Sequence, residues 1–372
     1  MSDAAPTVDL ASQAPTADTV AEREAARQAP AAIAPRPYPP SWLNVLISWI
    51  ERLPGPPWVA FLAIGAITIV IANAQAPLAG RPMGLDLTQT YYAILFTGIL
   101  WLIHYLDHVA REALDTFRPA MGISDADAAD LRYRLTVVPA RGAAILFVAA
   151  ILWTIEAYLF QAEAEGIVGL PPLALIVRGP FETLTTAIIL VTLYHTLRQL
   201  RLVGQIHAMA KRIDLYQPAP LYAFSTLTAR TGMGIFLLLI PSFVFVPGTA
   251  STLDYLVMAG WFLGLLAISS AAFVLPLQGM HGRIAAEKQH LEAEVGRRLT
   301  ATTATLHHAV DQGDLSSADG LNKTLASLIA ERELVHKLPT WPWQPGTVGA
   351  FVTAILLPIG LWLATRLLER VV

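Results

Sequence analysis

The chain has 372 residues, of which 55% are hydrophobic and 14% are charged, a balance that is typical of proteins embedded in lipid rather than of soluble domains. The net charge is only −3, so nothing in the composition indicates a nucleic-acid partner, and we expect none. The absence of cysteine excludes disulfides, thiolate metal sites and catalysis by a cysteine nucleophile.

Residues 1–40 are rich in Ala, Pro, Ser and Thr and contain no continuous apolar run. Such a segment buries too little apolar surface to fold, so we predict a disordered cytoplasmic tail. Residues 41–52 then show the apolar periodicity of an amphipathic helix lying at the membrane interface.

Seven apolar segments are long enough to cross a bilayer, because about 20 mostly apolar residues span its hydrocarbon core as a helix. They are residues 58–75, 88–108, 142–160, 180–197, 232–247, 253–277 and 348–368. The sequence therefore predicts an all-α, polytopic membrane helix bundle with seven transmembrane helices. Residues 41–278 form its first six spans together with the interfacial helix.

The positions of the basic residues predict the orientation of these helices. All but four of the 25 Lys and Arg residues precede the first span or follow the second, fourth and sixth spans. The exceptions are Arg81, Arg178, Arg366 and Arg370. Cytoplasmic connections carry an excess of Lys and Arg, so we predict a cytoplasmic N-terminus and an external C-terminus, in the inner (plasma) membrane of a prokaryote.

The long connections are predicted to be helical extensions of the spans into the cytoplasm. Ser124 is in position to cap a short helix over 125–135, because acidic residues follow it in the first turn. Residues 279–345 read as a cytoplasmic α-hairpin, whose second helix we expect Ser316 or Ser317 to cap. Three prolines between 338 and 346 then separate this hairpin from residues 346–372, which hold the last transmembrane helix and the external C-terminus.

Few ionisable residues fall within the predicted spans, and each is a candidate for function because a charge in lipid is costly. Glu156, Arg178 and Glu182 lie toward the outer ends of the third and fourth spans, and His195 lies near the inner end of the fourth. Arg178 and Glu182 are four residues apart and are expected to pair on one helix face. The three charged residues near the outer ends either form structural pairs or line a ligand-binding vestibule.

His104 and His108 are one helical turn apart, a spacing that also occurs in metal and haem sites. Because no third ligand lies nearby in the sequence, we interpret them as polar residues at the inner interface and predict no metal site and no cofactor. No motif of a hydrolase or a nucleotide-binding enzyme is present. We therefore predict no catalytic residue and no enzyme activity.

The last predicted span combines small residues with Pro358 and carries no charge between 348 and 364. Small residues at helical spacing favour ordinary close association of membrane helices. A second interpretation is that this helix lines a pore, with hydroxyls and a hydrophobic constriction facing the axis. The pore-lining candidates are Thr347, Thr353, Leu357, Leu361 and Thr365.

This layout resembles the superfamily of seven-transmembrane ion channels that includes the insect odorant and gustatory receptors. The matching parts are the extensions 198–214 and 283–308, the helix 317–338, the break 339–345 and the span 348–368. The resemblance implies a homotetramer with its seventh helices around a central pore, cytoplasmic subunit contacts and ligands entering the outer half of each bundle. The likeness is one of layout, so no functional residue is carried over.

Three hypotheses for function follow. The first is a stimulus- or ligand-gated ion channel that assembles as a homo-oligomer in membrane lipid. The second is a small-molecule transporter or receptor that uses the charged residues of the outer ends. The third is a non-catalytic membrane scaffold that acts through its cytoplasmic hairpin.

Overall fold

The computed structural model describes residues 36–78, 80, 82, 84–160, 167–239 and 252–368. Nearly all of the predicted tail and half of the fifth predicted span lie outside these residues. The chain divides into two units, Met1–Pro37 and Tyr38–Val372, and the elements below belong to the second.

The second unit is built from helices, which we number in chain order. Their bounds are α1 Trp42–Glu51, α2 Pro57–Asn73, α3 Gln75–Leu78, α4 Leu87–Met121, α5 Asp125–Thr136, α6 Ala140–Phe160, α7 Pro172–Ala208, α8 Pro218–Leu239, α9 Thr252–Val274, α10 Gln278–Asp311, α11 Leu315–Lys337 and α12 Thr347–Leu368. A short 3-10 helix, Leu275–Leu277, joins α9 to α10. The described residues contain no strand beyond one isolated bridge between Pro40 and Pro139, so the all-α prediction is confirmed.

Five helical segments are long and apolar enough to cross a membrane. They are Pro57–Leu78, Gln89–Met121, Ala140–Phe160, Pro172–Ala208 and Ala259–Asp311. They contain the first, third and fourth predicted spans, all but the first residue of the second, and most of the sixth. The other two predicted spans fall on α8, which the structure describes only to Leu239, and on α12, whose described apolar stretch is Thr347–Pro358. The total of seven spans and their orientation remain predictions.

Two of the membrane helices are much longer than a bilayer is thick. α4 has 35 residues and α7 has 37. At 1.5 Å per residue each exceeds about 50 Å, whereas the hydrocarbon core measures about 30 Å. Both helices therefore continue past the spans predicted from hydropathy. One end of the bundle holds α5, the C-terminal parts of α4 and α7, and the start of α8. We call this end the basic end.

The core of the bundle forms around α4 and α8. Phe117, Phe224 and Phe236 are fully buried there, and α8 also contacts α9 and α12. A second apolar cluster holds α1 against α2 and α4 through Leu43, Ile47 and Ile50, whose burial follows from their spacing on one helix face.

α10 and α11 pack against each other as two helices joined by a short turn, and their cytoplasmic location remains a prediction. The predicted cap of α5 is confirmed, since the Ser124 hydroxyl accepts from the Asp127 amide at 3.2 Å. The predicted cap of α11 is wrong. Asp314 occupies that position, and its carboxylate accepts from the amide and hydroxyl of Ser317 and from the Ser316 hydroxyl. A carboxylate placed there satisfies three donors, whereas each serine offers a single oxygen.

The proline-rich break before α12 is held by stacked aromatic rings. The Trp341 ring lies on His281 with centroids 4.0 Å apart, and on Trp343 at 4.6 Å. Trp343 in turn stacks against Phe273 of α9, and Phe273 contacts Phe351 of α12. This continuous stack connects the hairpin to the last helix.

Candidate functional site

The bundle buries a carboxylate and an imidazole against each other. Asp107 of α4 and His195 of α7 are only 4% and 3% exposed. The Nε2 atom of His195 lies 2.9 Å from Oδ1 of Asp107, and the Gln199 amide donates to the same oxygen at 3.3 Å. Gln199 also donates to the carbonyl of Leu135 at 3.0 Å, which connects the cluster to α5.

The sequence brings these residues inward by helical spacing. On α7, Val191, His195, Gln199 and Val203 recur every four residues and are all buried. On α4, Asp107 occupies a position between the buried Ile103 and Ala110, where an apolar residue is the usual choice. A carboxylate at a core position costs free energy unless it is paired, and both partners here come from α7.

The groups around the buried carboxylate are mainly basic. The charged groups that act on Asp107 are His195, Arg111 and His104. The Nδ1 atom of His195 is buried and has no hydrogen-bond partner among the described residues. Buried ionisable residues of membrane helices frequently mark ion or proton pathways.

His104 and His108 contact separate carboxylates. His104 Nδ1 lies 2.8 Å from Glu51 of α1, whereas His108 Nε2 lies 3.3 Å from Glu112 on its own helix. Within the ranges that the structure describes, no group of three or more His, Asp or Glu residues is arranged to hold a metal ion.

The predicted pair of Arg178 and Glu182 is confirmed, with Nε and Oε1 2.5 Å apart. Arg178 is buried, and the Tyr158 hydroxyl donates to the second carboxylate oxygen of Glu182 at 3.0 Å. The Glu156 side chain lies exposed on α6. This group lies toward the end of the bundle opposite the basic end, and its role as a vestibule remains a prediction.

The pore-lining candidates lie on α12 and therefore on a different element from the buried cluster. Thr347 is half-buried, Thr353 is exposed and Leu357 is 59% exposed. The side chains of Leu361 and Thr365 lie outside the described residues. The side of α12 that packs on the bundle carries Phe351 and Ile355 instead.

Sequence reasoning singled out His195 but missed its partner. The sequence did contain a signal, because Asp107 lies in an otherwise apolar stripe of α4. Hydropathy averaged over a whole span does not detect a single residue of this kind.

No family model, curated protein or solved structure matches the chain. The class is therefore defined by the fold and the site: an all-helical protein whose apolar helices fit an integral membrane protein, with an ionisable pair buried among them.

Proposed function

We propose that the protein is an oligomeric, stimulus- or ligand-gated ion channel in which α12 lines the pore. The observation that carries this proposal is the placement of α12 at the edge of the bundle. Gly349, Thr353 and Leu357 are spaced four residues apart and are all exposed, while Phe351 and Ile355 are buried. The small residues Gly349 and Thr353 thus lie on a part of α12 that is left uncovered within one copy.

Small residues favour the close approach of another helix in a membrane, where apolar side chains gain little from leaving lipid. The α12 helix of a second copy supplies such a partner. Copies related by rotation about one axis form a ring in which their α12 helices surround a central pore. A tetramer is the assembly that the resemblance to seven-transmembrane channels implies. The hairpin adds exposed apolar side chains, including Val310, Ile329 and Leu334, that suit contacts between subunits.

The absence of native cysteine allows a direct test with single-cysteine variants. We expect Thr353→Cys to form disulfide-linked dimers in membranes treated with an oxidant, and we expect a charged thiol reagent to block its current in planar bilayers. The matched control is Leu152→Cys, at a side chain of α6 that is 61% exposed. Monomeric protein without current, or equal cross-linking at both positions, contradicts the proposal.

A second candidate function is proton- or cation-coupled transport, and the buried pair of Asp107 and His195 favours it. Such a pair takes up and releases a proton within the bundle, as coupled transporters require. In vesicles loaded with a pH-sensitive dye, Asp107→Asn is expected to reduce proton flux at least tenfold, whereas Glu112→Gln, at an exposed site on the same helix, leaves it unchanged. Equal flux in both variants contradicts transport through this pair.

A further inference from the structure

A groove opens on the surface of the bundle between α7 on one side and α9 with the 3-10 helix that follows it on the other. Its volume of about 340 Å³ falls at the low end of the range of about 300–1,000 Å³ that ligand pockets occupy. Its walls are almost entirely apolar. They include Leu193, Leu197, Ile235, Ile268, Ala272 and Leu275.

Contacts between α7 and the start of α10 close the groove at the basic end. His207 Nδ1 lies 3.2 Å from the carbonyl of Pro276, and Arg283 donates to the carbonyls of His207 and Ala210 at 2.6 and 2.5 Å. Above this contact, Leu193, Leu197, Ile268 and Leu275 are about half exposed at the groove rims. The groove is therefore open toward the surroundings of the membrane helices and closed at one end.

Arg201 lines the closed end of this apolar groove. Its side chain is exposed, and within the part of the chain that the structure describes it makes no ion pair or hydrogen bond. The two neighbouring arginines are engaged differently, since Arg283 binds the carbonyls named above and Arg198 donates to the carbonyls of Arg134 and Val137. The guanidinium of Arg201 is thus left to receive a ligand at the basic end of the groove.

We propose that this groove is a binding site for an anionic phospholipid of the leaflet at the basic end, with an acyl chain between α7 and α9 and the phosphate at Arg201. Arg201 lies four residues beyond the end of the predicted fourth span, about 6 Å along the helix, which is the depth of the lipid headgroups. The guanidinium fork matches a phosphate in geometry and charge.

The charge of the lipid decides the specificity of this site. Phosphatidylcholine offers the same acyl chain and phosphate but carries no net charge, because its choline group compensates the phosphate. An anionic headgroup such as phosphatidylglycerol keeps its full attraction to Arg201, which for one basic residue near a membrane surface corresponds to about a fivefold preference. This inference does not depend on the proposed channel function.

The test is native mass spectrometry of the full chain in detergent with phosphatidylglycerol or phosphatidylcholine of identical acyl chains. We expect wild type to retain more phosphatidylglycerol than phosphatidylcholine. In Arg201→Gln, the affinity for phosphatidylglycerol is expected to fall about fivefold, while the affinity for phosphatidylcholine is unchanged. Gly204→Leu is expected to reduce both lipids. Gly204 lines the groove and a Cβ there meets no atom within 4 Å, so a larger side chain fills the groove without disturbing the helix.

The matched control is Arg141→Gln, which removes an exposed arginine at the start of α6, also at the basic end. Equal loss of phosphatidylglycerol in Arg141→Gln and Arg201→Gln indicates general attraction to a basic surface and overturns the site. Equal retention of the two lipids by wild type, or unchanged binding in Arg201→Gln, overturns it as well. The thermal unfolding of each variant is measured first, and lipid binding is compared only among variants that unfold like wild type.

Discussion

The imidazole of His195 lies 2.9 Å from the carboxylate of Asp107, although 88 positions of the chain separate them. This contact joins α4 to α7, and Gln199 of α7 is the other side chain that donates to the same carboxylate. Of the ion pairs that the structure describes, this one has the most deeply buried side chains. The stability of the bundle therefore depends on how well these two side chains are paired.

We expect Asp107→Ala to lower the free energy of unfolding by about 3 kcal/mol, because it leaves the imidazole and the Gln199 amide without their partner inside the bundle. The double variant Asp107→Leu with His195→Leu is expected to lose less, since no unpaired polar group remains from the dyad. Thermal unfolding in detergent, followed by tryptophan fluorescence, measures both. As a control, Glu112→Ala at an exposed pair is expected to cost less than about 1 kcal/mol.

Gly232→Ala tests the close contact between α8 and its neighbours. A Cβ at this position lies 2.6 Å from the carbonyl oxygen of Ser269 and 2.8 Å from the Phe351 ring. The backbone of α9 cannot yield as a flexible side chain does, so we expect a loss of about 1–3 kcal/mol in unfolding free energy. Gly204→Ala is the control, because its Cβ meets no atom within 4 Å and alanine favours the helix. If Gly232→Ala and Gly204→Ala have the same unfolding free energy, the close contact at Gly232 is contradicted.

The tip of the hairpin is expected to weaken in acid. The Ser317 hydroxyl, followed by that of Ser316, lowers the pKa of Asp314 from its ordinary value to about 2. Because the folded pKa lies below the unfolded value, the cap stabilises the hairpin above about pH 4, and this stabilisation is lost as the pH falls toward 2. A carbon-13 NMR titration of the carboxyl group measures the midpoint. Ser317→Ala should raise it, whereas Ser327→Ala, farther along α11, should not.

Arg198 fastens the segment before α1 to the corner between α5 and α6. Its guanidinium donates to the carbonyls of Arg134 and Val137 and to the Tyr38 hydroxyl, and it lies over the Tyr38 ring. Lysine cannot reproduce these forked contacts, so we expect Arg198→Lys to increase hydrogen exchange at the Ser41 amide, which donates to Val138. Arg141→Lys, at an exposed position three residues after Val138, is the control. Unchanged exchange at Ser41 in the Arg198 variant excludes this role.

Several local features were predictable because their causes lie within a few residues. Ser124 caps α5 as expected, since a hydroxyl followed by acidic residues satisfies free amides of the first turn. The pair of Arg178 and Glu182 forms because residues four apart share a helix face. The cap of α11 was mispredicted because Asp314, Ser316 and Ser317 all carry suitable oxygens, and the turn at Gly313 decided which one came into position.

The sequence by itself determined that this protein is helical and apolar enough for a membrane, because hydropathy and backbone hydrogen bonding are properties of short stretches of chain. Only the tertiary structure decided which helix faces meet. It paired Asp107 with His195, seated the tryptophans of the break on α9 and α10, and left a groove beside Arg201. The rotation and register of each helix depend on how side chains from distant segments fill the same space, and periodicity along one segment does not contain that information.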